Sequence, residues 1–327
     1  MACPFRHHLN GEVCLSAHSS ALTLILSKRR VIRQSCDFEK VITVARTAPI
    51  NPNPNTNSQN RFDEILDRLR DCEGLVEQEL QAYRSVEVGA AGNDDVETDA
   101  LVSIVIPVYN EEATVARVVS RVAALPLNSE LVIVDDCSTD GTRKILERVA
   151  DLPQVQVISK DKNAGKGAAL RTGFEHVKGD YIIVQDADLE YDPRDIPLII
   201  QPLIRGEADV VYGSRFIGDV MHDKSFIHRL GNAVLTQASN FFSGLKLTDM
   251  ETCYKAFTRD ALEAVQIEQD RFGIEPEITA KLARQGFRFA EVPISFYESR
   301  GYDEGKKIGI KDLFNAFWCI GRYGVKD

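Results

Sequence analysis

Tyr181-Ile182-Ile183-Val184-Gln185-Asp186-Ala187-Asp188-Leu189-Glu190 is the stretch around which the chain organises itself. Its apolar, β-branched opening predicts a short buried strand, with two carboxylates one residue apart at the strand's end. Side chains alternate across a strand, so Asp186 and Asp188 would face one point if the strand ran through them. Two hard oxygen donors aimed together suit Mg²⁺ or Mn²⁺, an ion that would also hold a substrate diphosphate and water. A turn or a helix cap uses the same residues, so the surroundings have to decide.

Outward from this stretch, strands alternate with helices. Upstream, residues 101–108, 130–134 and 155–159 have strand character and 112–125, 142–150 and 168–176 helical character; downstream, 196–205 is a helix and 209–212 a strand. That alternation predicts an α/β fold, a mainly parallel sheet with helices on both faces. Ligands in such sheets sit at the carboxyl ends of the strands. Here those ends are polar: Pro107-Val108-Tyr109-Asn110-Glu111, Asp135-Asp136-Cys137-Ser138-Thr139-Asp140-Gly141-Thr142, the Asp186 pair, and Gly213-Ser214-Arg215. Carboxylates gathered on one edge repel unless a cation or hydrogen-bond donors are present. Any one cluster could be ordinary loop chemistry, with Asn110 or Asp140 capping the next helix; all of them on one edge argue for a site.

Lys162-Asn163-Ala164-Gly165-Lys166-Gly167 invites a phosphate reading, because two glycines expose backbone N–H groups where a helix begins. A P-loop nevertheless needs Ser or Thr after its Gly-Lys, where this chain has Gly167, and a glycine at the place of Lys160. A dinucleotide fingerprint needs Gly or Ala at Leu170, and the loop follows the third strand instead of the first. An ATPase and a nicotinamide dehydrogenase are therefore poor fits.

With 327 residues and 44% hydrophobic content the chain can bury a sizeable core. Its net charge of −10 is uneven: residues 1–60 are basic (7 basic, 3 acidic) and 61–100 strongly acidic (4 basic, 12 acidic). Nothing favours nucleic acid as a partner. Seven cysteines, with no Cys-x-x-Cys pair, read as reduced thiols of a cytoplasmic protein. No apolar run approaches the roughly 20 residues of a membrane span. The short run Ala21 to Leu26 precedes its Lys28-Arg29-Arg30 cluster, the reverse of a signal segment. Residues 1–60, with Pro49, Pro52 and Pro54, are expected to be a poorly ordered leader, or translation from a start upstream of the true one. Apolar residues from Phe62 to Tyr83 recur at helical spacing, so 61–100 is expected to hold an amphipathic helix and an acidic linker.

The ordered set Pro107-x-Tyr109-Asn110-Glu111, Asp135-Asp136-x-Ser138-x-Asp140-x-Thr142, Asn163-x-Gly165-Lys166-Gly167, Asp186-Ala187-Asp188 and Gly213-Ser214-Arg215 resembles the family 2 inverting glycosyltransferases of the GT-A fold. It is most similar to their polyprenyl-phosphate branch, the dolichol-phosphate mannose synthases and undecaprenyl- or dolichol-phosphate glycosyltransferases. The resemblance covers about residues 101–312, which makes that span the expected GT-A domain and 313–327 a C-terminal amphipathic helix. It implies that Pro107, Tyr109, Asn110 and Glu111 line the nucleoside pocket and that Asp136, supported by Asp135, contacts base or ribose. It implies also that Asp186 and Asp188, with Ala187 between them, hold Mg²⁺ or Mn²⁺ on the sugar-nucleotide diphosphate. Lys162, Gly165 and Lys166 would shape the donor pocket, while Ser214 and Arg215 would meet the acceptor phosphate. Asp188, Arg215 and Asp249 are the implied catalytic residues.

The chemistry fits independently. A divalent ion stabilises charge building on a leaving diphosphate, and a lipid phosphate is already ionised at pH 7, so a planar guanidinium is more use to it than a strong base.

In the second half, residues 223–244 contain a helix with a wide apolar side, suited to a core or to a lipid surface. Leu247-Thr248-Asp249-Met250-Glu251-Thr252-Cys253-Tyr254-Lys255 resembles the family's segment beside the acceptor, where Asp249 would orient the acceptor, serve as base, or merely cap a turn. Many protein- or sugar-directed relatives carry an acidic pair there that Thr248-Asp249-Met250 lacks. Glu275 and Glu277 open a helix whose dipole alone could explain them; the resemblance places Glu277 near the donor sugar, with Glu275 as a second candidate. Residues 292–297 are expected to form a strand, antiparallel or at an edge because of Pro293. Arg300, Lys306, Lys307 and Lys311 before the apolar, aromatic C-terminal helix suit an anionic membrane surface, a lid, or a solvated face.

The expected activity is metal-dependent, inverting transfer of a hexose from UDP-glucose or GDP-mannose to a polyprenyl phosphate, in the cytoplasm, with peripheral contact at the inner face of the membrane or through a membrane-protein partner. The alternatives are transfer to a soluble acceptor or growing glycan, and a nucleotide-sugar-binding regulatory module without turnover.

Overall fold

The computed structural model describes residues 99–217, 226–296 and 310–325. The leader, the helix and linker expected over 61–100 apart from its last two residues, and the basic residues 300–307 lie outside them. Strands β1 (Val102–Val108), β2 (Ser129–Asp135), β3 (Val155–Ser159), β4 (Tyr181–Val184) and β5 (Val210–Ser214) alternate with helices α1 (Val115–Ala123), α2 (Thr142–Val149), α3 (Lys166–Phe174) and α4 (Ile196–Ile204). Helix α5 (Phe226–Ser243) leads to β6 (Lys255–Thr258), α6 (Arg259–Glu263), α7 (Ile274–Arg284), β7 (Phe289–Pro293) and α8 (Ile310–Val325).

The sheet has the order β3-β2-β1-β4-β6-β5-β7. All pairings are parallel except those of β6, which runs antiparallel to both β4 and β5. Two reversals cancel, so β5 and β7 point the same way as β1 to β4, and the carboxyl ends of six strands share one edge. The alternation of each strand divides the core. In β1, Ile104 and Ile106 pack with α1 and α4 on one face, while Val105 packs with α3 on the other, where α7 and α8 add Ile278, Leu282 and Ile320. Each such side chain, fully buried, contributes about 1.5–3 kcal/mol.

Three expectations are corrected. Residues 255–258 form a strand that the sequence reading did not foresee, because four residues flanked by turns leave too short a period to recognise. The strand expected over 292–297 begins earlier and ends at Pro293; it lies at the sheet edge, as one of its two alternatives held, but parallel to β5. Pro293 is tolerated as the last residue of an edge strand. Finally, β4 stops at Val184, so the strand alternation invoked for Asp186 and Asp188 does not reach them.

Helix α5 divides the two uses of its apolar side. Leu235, Thr236 and Ser239 are buried, whereas Leu230, Val234, Phe241 and Phe242 are exposed. On α8, Ala316, Cys319, Ile320 and Tyr323 pack inward, while Leu313, Phe314, Phe317 and Trp318 face out.

Candidate active site

The loops after β1 and β2 are tied into one surface. Asn110 adopts φ 54°, a left-handed conformation that asparagine tolerates better than most residues. Its N–H donates to Ser138 Oγ (2.9 Å) and its Oδ1 accepts from Thr139 N (2.8 Å). Glu111 N donates to Thr142 Oγ1 (2.9 Å), and Glu111 Oε2 accepts from Thr114 Oγ1 (2.9 Å). Pro107 sits opposite Val134 inside β1, and it and Tyr109 are half-buried at the rim. Asp135 is fully buried, accepting from Ser138 N (3.0 Å) and Arg143 Nε (2.7 Å).

Asp136 organises the glycine loop. Its carboxylate accepts from Lys160 Nζ (2.7 Å), Ala164 N (3.0 Å) and Gly165 N (2.6 Å). Of the glycine donors that suggested a phosphate cradle, Gly165 N is thus already occupied by an internal anion. The glycines have a different cause. Gly165 has φ 102°, and a Cβ there would meet Asp270 O at 2.6 Å; at Gly167 it would meet Gln269 O at 2.2 Å. The loop is glycine-rich because the 269–271 backbone lies against it. Lys160, at the end of β3, is the lysine that pairs with Asp136, whereas Lys162 is exposed in the loop.

Past β4, Asp186 meets a cluster of buried charges. Lys166 Nζ, at the start of α3, lies 2.9 Å from Asp186 Oδ1, 3.5 Å from Glu275 Oε1 and 2.9 Å from Cys253 Sγ. Glu275 Oε2 is 2.6 Å from Lys255 Nζ, which also donates to Met250 O (2.8 Å) and Thr252 O. Burial opposes the charge on Lys166, but Asp186 and Glu275 outweigh it and hold the ammonium protonated. Asp188 accepts from Glu190 N at 3.2 Å and is half-buried. Glu277 is placed apart: two residues along a helix is about 200° of rotation, so it faces away from Glu275. It accepts from Glu268 N (2.7 Å), Gln269 N (2.8 Å) and Lys281 Nζ (2.6 Å), an anchor for the 268–269 segment.

Beside this cluster stands a second one, built by the end of β5 and the 248–254 turn. Arg215 forms a two-pronged pair with Asp249, Nε to Oδ2 and Nη2 to Oδ1, both 2.6 Å, and its backbone N adds a bond of 3.1 Å. Asn232 Nδ2 donates to Asp249 Oδ1 (3.2 Å), and Glu291 accepts from the N–H of Thr248 and Asp249. Ser214 Oγ lies 2.6 Å from Thr248 Oγ1. Both Asp249 oxygens accept from Arg215, so the carboxylate holds the guanidinium in place. The two clusters meet at Cys253, whose Sγ touches Lys166 and whose N–H donates to Tyr191 Oη (3.2 Å). Antiparallel β6 is what delivers this turn: its first residue, Lys255, pairs with Tyr212, so the turn emerges at the same edge as the ends of β4 and β5.

Lys160, Glu251 and Lys255 were not singled out from the sequence. Lys255 had a signal, a charge directly before the apolar residues of a strand; Lys160 closes β3 much as the polar residues close the other strands.

Residues 103–266 match the model of the family described as glycosyl transferase family 2. Glycosyltransferase AglJ of Haloferax volcanii is 33% identical over 201 residues, which span 61% of this chain and 64% of that protein. An undecaprenyl-phosphate 4-deoxy-4-formamido-L-arabinose transferase of Aeromonas hydrophila is 30% identical over 228 residues, 67% of this chain and 66% of the relative. The chain therefore spans a little under two thirds of either relative. Glucosyl-3-phosphoglycerate synthase of Mycobacterium tuberculosis, solved in complex with Mg²⁺ and UDP, superposes with a TM-score of 0.53 at 23% identity, over 68% of this chain and 80% of that one. At that identity the likeness is one of fold.

Proposed function

The chain belongs to glycosyl transferase family 2 and has the GT-A fold, and on that premise we propose that it transfers a hexose, with inversion, from UDP-glucose or GDP-mannose to a polyprenyl phosphate. The observation that carries this is the pairing of two neighbouring clusters on one sheet edge: Asp186 with Lys166 for a donor diphosphate, and Arg215 held by Asp249 for an acceptor phosphate. The Aeromonas relative, named for undecaprenyl phosphate, supports the acceptor.

Asp186 and Asp188 supply two hard oxygen donors. Among the described residues no group of three or more His, Cys, Asp or Glu could hold a metal unaided. The pair would share an ion that takes its other ligands from diphosphate and water, as Mg²⁺ or Mn²⁺ does. When bound, such an ion stabilises charge on the departing nucleoside diphosphate. Lys166, now 2.9 Å from Asp186 Oδ1, would turn to the phosphates as they arrive. Pro107, Tyr109, Asn110, Glu111 and the Asp136-bound loop form the nucleoside side of the site, and Gly165 shapes its floor. Glu277 acts through the 268–269 segment. Arg215 is held protonated by Asp249 in spite of its burial, and with Ser214 it receives the acceptor.

No helix among the described residues is long and apolar enough to cross a membrane. Phe241, Phe314 and Trp318, exposed on the packed helices α5 and α8, would bring the site to a lipid-borne acceptor at the inner membrane face.

Purified protein with radiolabelled UDP-glucose or GDP-mannose, Mn²⁺ and short polyprenyl phosphates is expected to give a solvent-extractable labelled lipid. No lipid product with any donor would defeat the acceptor assignment. Label appearing instead on phosphoglycerate or an oligosaccharide would transfer the reading to a soluble acceptor, and donor binding without turnover would leave a regulatory module.

A further inference from the structure

Among the described residues two buried side-chain polar atoms lack a hydrogen-bond partner, Asn232 Oδ1 and Glu251 Oε1, and both flank the Arg215–Asp249 pair. Native proteins leave few such atoms, because an unpaired buried polar atom is destabilising, and each points to a missing partner. Two orphans at one pair point to a ligand site.

The backbone beneath Glu251 is immobilised on both sides. Lys255 Nζ donates to the carbonyls of Met250 and Thr252, and Met250 N donates to Thr236 Oγ1 (3.1 Å). The residue as a whole is half-buried. The charges that act on it are those of Glu275 of α7 and Lys255 of β6, and of Arg215 and Asp249, and its own acts on the Cys319 thiol of α8. Glu251 thus feels both the donor cluster and the acceptor cluster. Two carboxylates face it before any substrate arrives, and a diphosphate and a phosphate would add more negative charge.

We propose that Glu251 is an acceptor-binding residue, a neutral carboxylic acid whose O–H donates a hydrogen bond to a non-bridging oxygen of the acceptor phosphate held on Arg215. This rests on the phosphate-acceptor reading above. An ionised Glu251 would repel the dianion; a protonated one neutralises nothing and adds a donor where the guanidinium has committed two of its five N–H groups to Asp249. Burial, and then Glu275, push the Glu251 carboxyl up to about 7, so the acid form is available at neutral pH.

The test is acceptor kcat/KM from pH 5.5 to 9 for wild type, Glu251→Gln and Glu251→Ala, with UDP and GDP binding by calorimetry as the control for folding. Wild type should lose about tenfold per pH unit on the alkaline side. Glu251→Gln keeps a donor that does not ionise; it should retain activity within about threefold and lose the alkaline limb. Glu251→Ala should lose about tenfold or more through acceptor KM, with nucleotide binding unchanged. Variants equal to wild type at every pH, or a Gln variant as impaired as Ala, would overturn the assignment. Absence of lipid product from wild type itself would instead sink the acceptor reading, and this proposal with it.

Discussion

Replacing Asp249 by asparagine tests the acceptor cluster most directly, because the substitution keeps shape and removes the charge and one of the two acceptor oxygens. Asp249 is fully buried, and the Arg215 side chain is 12% exposed. The carboxylate receives two guanidinium bonds of 2.6 Å, the Arg215 N–H at 3.1 Å and the Asn232 amide at 3.2 Å. Removing one member of such a buried pair leaves an uncompensated charge and costs about 3–5 kcal/mol. Asparagine can still accept one guanidinium bond, so the lower end, about 3 kcal/mol, is expected. In a domain of this size that lowers Tm by about 10 °C. Arg215, no longer held, should also meet the acceptor poorly, raising acceptor KM about tenfold with donor binding intact. Melting followed by circular dichroism measures the first effect and initial rates the second. The double variant Arg215→Gln with Asp249→Asn should recover more than half of the lost stability, since the stranded charge is gone. A single variant melting within ~2 °C of wild type would refute the claim that this is a buried, coupled pair.

Gly165→Ala should cost about 2 kcal/mol or more, because the residue combines φ 102° with a Cβ only 2.6 Å from Asp270 O; UDP titration calorimetry should show donor affinity falling with the displaced loop. Lys166→Met removes the ammonium 2.9 Å from Asp186 Oδ1; Mn²⁺ counted by electron paramagnetic resonance without nucleotide should bind about tenfold more tightly, and weaker binding would contradict the competition between lysine and metal. Asp195, whose Oδ2 accepts from Ser295 N (2.6 Å), is pushed by burial from 3.8 to about 7. Its folded form binds the extra proton, so stability is present below the unfolded value and falls as pH rises from about 4 to about 7. The loss is at most about 4 kcal/mol, and about half that for a half-buried carboxyl screened by solvent. Urea melts at pH 5 and 8 should show the decline, and Asp195→Asn should flatten it.

From the order of residues alone came the α/β class, the positions of the alternating elements and the polar strand ends from Pro107 to Arg215, because period and strand-end chemistry are local properties. Direction of a strand is not local. Residues 255–258 look like any short apolar piece, and only the sheet shows them inserted antiparallel between β4 and β5. That insertion puts Asp249, Glu251 and Lys255 beside Asp186 and Arg215. Likewise Glu275 and Glu277 are equivalent on paper; the helix's 100° per residue, once α7 is docked, turns one toward Lys166 and the other toward residues 268 and 269. That Lys160 is the ammonium on Asp136 is likewise settled by the packed backbone, which brings it within reach. Residue types announced the chemistry; which of them share a point in space followed from long-range pairing, which no window of sequence contains.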